Sequence, residues 1–128
     1  MIVFTIPLAP VTKKNSAQIM INSKTGRPFI MPSKKFKQYE DAALWYIPKR
    51  TMIDCAVNVK CLFYMPTHRR VDLTNLLEAI DDILVKARLL DDDNYTVIES
   101  HDGSRVLYDK EKPRTEVYIT RAAGNNEN

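Results

Sequence analysis

Between Leu73 and Ala87 the apolar residues Leu73, Leu76, Leu77, Ile80, Leu84 and Ala87 recur at the spacing of one stripe along an α-helix. Asp72 stands immediately before the stripe, where an N-cap belongs. A second helical pattern (Phe36, Tyr39, Ala42, Ala43, Tyr46) predicts a helix over 34–46, with Ser33 as its N-cap and Pro48 beyond its end. Strand patterns surround the two helices. Ile2 to Pro7 is β-branched and alternating, Ile53 to Met65 is β-rich and halted by Pro66, and shorter strands are expected at Tyr95–Glu99, Val106–Tyr108 and Glu116–Thr120. Within the polar connection 8–32, apolar runs at Ile19–Ile21 and Phe29–Met31 flank Asn22 to Gly26, the pattern of a small hairpin or ordered flap. The whole predicts an α+β fold: a single two-layer domain whose mostly antiparallel or mixed sheet of four or five strands carries two α-helices on one face.

A length of 128 residues suits one domain, expected over 1–121 with a polar tail at 122–128. No apolar run reaches the roughly 18 residues of a membrane span, and Met1 to Pro7 lacks a secretory signal, so a cytoplasmic protein is expected. Cys55 and Cys61 fit no Cys-x-x-Cys pair and read as buried, reduced thiols, on one face if they share a strand.

Charge adds more than its total of +3 suggests. Residues 1–50 hold nine basic side chains and two acidic ones, a balance of +7, whereas residues 71–103 hold nine acidic side chains against Lys86 and Arg88, a balance of −7. A basic flank beside an acidic middle is what an enzyme acting on a polyanion through bound cations needs. The simpler reading is that both blocks are solvated faces, with Asp72 capping a helix, Glu78, Asp81 and Asp82 on its outer side, and Asp91 to Asp93 making a turn. Against it stands the grouping of an Arg-Arg run, an Asp at a helix start and an aspartate triplet beyond the helix end. The helix spans about 23 Å, and residues 88–93 are long enough to cover most of that distance if the chain doubles back. Asp72 and one or more of Asp91 to Asp93 would then make a hard-oxygen site suited to magnesium.

The run Arg69-Arg-Val-Asp-Leu-Thr-Asn75, followed by Ala79-Ile-Asp-Asp-Ile-Leu84 and Leu90-Asp-Asp-Asp93, resembles the core of the RusA family of Holliday junction resolvases. That family shows a basic run, Asp-Leu-Asp-Asn-Leu, a helix with an aspartate in its second half, then a hydrophobic pair and Asp-Asp. The match is gapless over 69–94, and Pro7 to Asn15 with the Gly26-Arg-Pro28 turn resembles the family's Pro-rich, Asn-containing loop. Asp72 falls on the first family aspartate, Asn75 on the asparagine, Asp82 on the helix aspartate, and Asp92 and Asp93 on the terminal pair, Asp93 taking the catalytic place. The resemblance implies a magnesium-dependent homodimer that cuts four-way branched DNA in paired fashion, with no small-molecule cofactor beyond the metal and no membrane.

Two positions depart from the pattern: Thr74 stands where many members have a second catalytic aspartate, and Glu78 where the best-known members have a catalytic lysine. Three accounts fit. The Thr74 hydroxyl ligates the metal, or Glu78, one turn along, replaces the missing carboxylate, or the site is weakened and the chain is a branched-DNA-binding module of the same fold. Arg69 and Arg70 are candidates to clamp phosphate oxygens, and Lys13, Lys14, Asn15, Lys34, Lys35 and Lys37 to hold the DNA backbone. His68 and His101 are possible bases, with ordinary surface placement as the simpler reading.

Overall fold

The computed structural model describes residues 1–13, 18–31 and 34–122. Strand β1 (Ile2–Ile6) is followed by the hairpin strands β2 (Gln18–Ile21) and β3 (Pro28–Met31), helix α1 (Lys34–Ala43) with a 3-10 turn at Leu44–Tyr46, and the long strand β4 (Val57–Met65). Helix α2 (Leu73–Lys86) comes next, then β5 (Ile98–Ser100), β6 (Arg105–Tyr108) and β7 (Arg114–Arg121). The α+β expectation holds: a mixed five-stranded sheet, two helices and a separate β2–β3 ribbon. Ser33, the expected cap of α1, lies outside the described residues.

β4 is the spine of the sheet. β7 lies antiparallel along one edge of it, and β1 lies antiparallel to β7. On the inner face the registers align Phe4, Val117 and Cys61 in one row and Ile6, Thr115 and Phe63 in the next, and all six are buried. The other edge of β4 is shared by two short parallel strands, β5 against Val57–Asn58 and β6 against Leu62–Met65. Between them the ladder is broken, and side chains replace it. Ser104 Oγ accepts from the Cys61 amide at 2.9 Å, while Asn58 Oδ1 accepts from the Asp102 amide at 2.7 Å and Asn58 Nδ2 donates to the Asp102 carbonyl. The first of these bonds satisfies a strand amide that the broken ladder leaves without a backbone partner, and the other two tie the turn to β4. Gly103, at φ +91°, lets the 101–104 turn close over Lys60.

β5 starts three residues later than the apolar pattern suggests, because Asn94 holds the preceding segment in a turn. Its carbonyl accepts from the Val97 and Ile98 amides, and its side chain accepts from the Thr96 amide. β4 likewise starts at Val57, since the Ile53 amide is taken by the Leu89 carbonyl at the far end of α2. Cys55 therefore lies ahead of the strand and is half-buried, so it does not share a face of β4 with the buried Cys61; both thiols are free. Burial, and then the charge of Asp81, push the Cys61 thiol well above its ordinary range, which makes it inert. Ala122 still belongs to the folded body, buried and donating to the Ala56 carbonyl; the rest of the expected tail, 123–128, lies outside the described residues.

α2 buries Leu76, Ala79, Ile80, Ile83 and Leu84 in the core formed with β1, β4 and β7. It ends in a Schellman motif. The Leu89 amide donates to the Leu84 carbonyl and the Arg88 amide to the Val85 carbonyl, with Leu84 and Leu89 both buried. Arg88 occupies the left-handed position of that motif at φ 63°, a place that glycine usually fills. Arg88→Gly is expected to leave stability unchanged or to raise it by up to about 1 kcal/mol, because relief of strain offsets the added freedom of the unfolded chain. Arg88→Val, β-branched at the same φ, is expected to cost at least about 1 kcal/mol. Urea titration of the two variants checks both signs.

Candidate active site

Asp72 has extended backbone angles and its Oδ1 accepts from the Thr74 amide at 2.9 Å, so it caps α2 as the helix pattern predicts. The residue is exposed, and the cap engages one carboxylate oxygen. Because the apolar stripe faces the sheet, Thr74, Glu78 and Asp82, spaced four apart, follow one ridge along the helix. Asp82 lies about 15 Å along the axis from Asp72. Asn75 sits half-buried in the first turn.

Beyond the far end of the ridge come Asp91, Asp92 and Asp93, all exposed. Asp92 accepts from the Asp93 amide at 2.7 Å and from Asn94 Nδ2 at 3.0 Å, which holds its carboxyl below the usual carboxylate range. Asp93 is pushed the other way, first by partial desolvation, then by its hydrogen bond to Asp92 and by the charges of Asp92 and Asp82. In turn the charge of Asp93 reaches Asp81. The acids thus form a strip running from Asp72 along the ridge to Asp82, with Asp93 in electrostatic range of its far end. Among the described residues, no three His, Cys, Asp or Glu side chains gather into a cation cage. A hard, hydrated divalent cation needs fewer, since magnesium is held by one or two carboxylates with its remaining positions on water and phosphate. Exposed, mutually repelling carboxylate oxygens suit such an ion.

The basic residues divide into two groups. Lys13 Nζ lies 2.7 Å from Asp82 Oδ2, a bond that raises the lysine's pKa, with the charges of Glu78 and Glu40 adding to it. Lys37 lies within ion-pairing distance of Glu40 and Asp41. Arg69, Arg70, Lys34 and Lys35 are exposed, and among the described residues no carboxylate pairs with them. Lys14 and Asn15 lie outside the described residues. The arginine loop is fixed from the sheet: His68 stacks on Tyr108 at 3.8 Å, and the Asp109 amide donates to the Met65 carbonyl. His68 is therefore a stacking anchor that sets where Arg69 and Arg70 project. Its proximity in sequence to Arg69 hinted at a role, but the aromatic partner is forty residues away.

Residues 7–120 match the family model for endodeoxyribonuclease RusA. The chain belongs to the RusA endodeoxyribonuclease family. It is also 29% identical over 105 residues to the crossover junction endodeoxyribonuclease RusA of Aquifex aeolicus (strain VF5), a match that covers 80% of this chain and 79% of that protein. Among the described residues, no helix of this RusA-family chain is long and apolar enough to cross a membrane.

The sequence of this RusA-family chain offers Asp81 and His101 separately, and the fold pairs them. Asp81, expected on the outer side of α2, is only 7% exposed. Both its carboxylate oxygens meet His101 Nε2, at 2.9 and 3.1 Å. The signal was present in the sequence: position 81 lies four residues after Leu77 and three before Leu84, on the flank of the apolar stripe. Its partner comes from the turn that plugs the gap between β5 and β6, a location no local pattern encodes. Burial raises the Asp81 carboxyl above its ordinary range, while the hydrogen bond and charge of His101 pull it back.

His101→Ala removes both opposing influences and leaves a buried carboxylate without its donor. A loss of about 1–3 kcal/mol at neutral pH is expected. Asp81 is then raised further, so the loss should shrink as pH falls through its raised pKa and the carboxyl takes up a proton. His101→Gln, which retains a donor, should lose less than the alanine variant. Thermal denaturation of the three proteins between pH 5 and pH 8 measures these differences.

Proposed function

We propose that this chain is a magnesium-dependent nuclease that resolves four-way DNA junctions, working as a homodimer so that two strands are cut in a paired way. The observation that carries this reading is the juxtaposition of an exposed acidic strip starting at Asp72 with an arginine loop, Arg69-Arg70, that immediately precedes it and has no carboxylate partner among the described residues. Opposite charges next to each other that do not neutralise each other are what a site needs when its ligand is a phosphate and a cation together. The junction as substrate takes support from the Aquifex aeolicus relative, a crossover junction endodeoxyribonuclease.

In this reading Asp72, with Thr74 or Glu78, holds a cation at the head of the strip, and Asp93, with Asp92 beside it, holds one at the far end. The ion, when bound, supplies Lewis-acid polarisation of the scissile phosphate and a lowered pKa for water. The chain's own contributions are separate. Asp72 is kept in one orientation by its bond to the Thr74 amide. Arg69 and Arg70 are suited to grip non-bridging phosphate oxygens with paired N–H groups. Lys34 and Lys35, at the start of α1, extend the contact along the DNA backbone, with Lys14, Asn15 and Asn75 as further candidates. Lys13 contributes less directly than its charge suggested, because in this structure it neutralises Asp82.

Thr74 and the Lys13–Asp82 pair favour a second reading, in which the acidic strip has lost catalytic strength and the chain holds branched DNA without turning it over. Incubation with a labelled four-way junction and with linear duplex, with and without magnesium, separates the two. Cutting of the junction alone, only with magnesium, is expected, and Asp72→Asn should reduce the rate by at least about a hundredfold while junction binding persists. Thr74→Asp should preserve or raise the rate. Tight junction binding with no product across divalent metals would establish the second reading instead.

A further inference from the structure

A cavity of about 430 Å³ opens beside the start of the acidic strip, between residues 9–12, the first turn of α1 and residues 65–71. Its volume falls within the range of pockets that enclose a small molecule. Two kinds of wall line it. Pro10, Val11 and Met65 supply apolar surface, whereas Lys35, Arg69 and Arg70 bring three cations to it. Those cations are exposed and, among the described residues, have no carboxylate partner. The last wall is Val71, the residue before Asp72. A ligand that satisfies such a pocket is apolar and flat at one end and anionic at the other.

A nucleotide has that chemistry, provided its base is out of the stack. In an intact duplex each base is held between its neighbours, but an unpaired or branch-point base leaves at the lowest cost, which makes unstacking a source of selectivity. We infer that this cavity receives one unstacked nucleotide of the DNA strand, its base against the Pro10–Val11–Met65 surface and its phosphates on Arg69, Arg70 and Lys35. The inference rests on the reading of the chain as a branched-DNA nuclease and adds the means by which branched DNA is told from duplex. It also explains why the arginine loop is braced by the His68–Tyr108 stack: the same loop forms one wall of the pocket.

The test uses the whole chain, EDTA to prevent cutting, and four-way junctions carrying 2-aminopurine at successive positions around the branch. This base brightens when it leaves the stack, and among the described residues no aromatic side chain lines the cavity to quench it. Emission is expected to rise at one position of the bound junction and at none in a bound linear duplex. Thr67→Leu and Ala9→Leu, which each add bulk to the cavity wall, should abolish the rise and reduce the preference for junction over duplex by about tenfold, with duplex affinity unchanged by anisotropy. Two substitutions on different walls guard against one that fails to fold, which a thermal melt reveals. Binding without a rise at any position, a rise that persists in both filled variants, or no binding to the junction would each overturn the pocket. Cutting is scored separately with magnesium. A junction that is cut without any brightening removes the pocket alone, and one that brightens without being cut removes the nuclease reading alone.

Discussion

The packing of α2 against the inner face of β4 governs the rest of the molecule. Leu76, Ala79, Ile80, Ile83 and Leu84 are at most 1% exposed, and each large side chain buried in this way contributes about 1.5–3 kcal/mol. Rotating the helix by even one residue would bring Glu78 or Asp82 towards the core, where an unpaired carboxylate is far more costly than a lost methyl contact. The core therefore fixes which ridge of α2 faces water. That ridge carries Thr74, Glu78 and Asp82, and the cap at its head is Asp72. Site geometry here follows from hydrophobic register.

β4 imposes the second constraint by having both edges occupied. β7 covers one edge along its length, while the other is divided between β5 and β6. The turn between those two strands fills the gap with Ser104 and with the peptide groups bonded to Asn58, and from that turn His101 reaches Asp81. A buried acid on α2 is thus tied to the sheet by side chains instead of by a continuous ladder. On the outer face Arg114 lies over Tyr64 at 3.8 Å and bonds Asp109 and Glu116, and Lys60 lies over Tyr118. Long polar side chains cover part of this face.

Elements with one strong period were legible in the sequence. The α2 stripe, the central strand, the hairpin around Asn22 and the cap at Asp72 all express local rules of spacing and turn chemistry. What was not legible depends on partners distant in the chain. Asp81 reads as one more outer acid until its imidazole is found twenty residues on; Lys13 reads as a DNA contact until its carboxylate is found at Asp82. Cys55 departs from the expected buried strand position for a related reason, because the Ile53 amide ties the segment before β4 to the Leu89 carbonyl beyond α2. The opposed charge blocks were visible from composition. Lys13–Asp82 joins the two blocks, whereas among the described residues no carboxylate pairs with the cations of the arginine loop and the start of α1.

The central proposal is that aspartates at opposite ends of the acidic strip, Asp72 and Asp93, both hold magnesium. Iron-mediated cleavage of the polypeptide tests it most directly. Ferrous iron takes the place of magnesium, ascorbate and peroxide are added, and the backbone is cut only near the bound metal. Two clusters of cuts, one at 71–75 and one at 91–94, both suppressed by excess magnesium, are predicted. Cuts confined to one segment, or scattered over the surface acids and indifferent to magnesium, would contradict it.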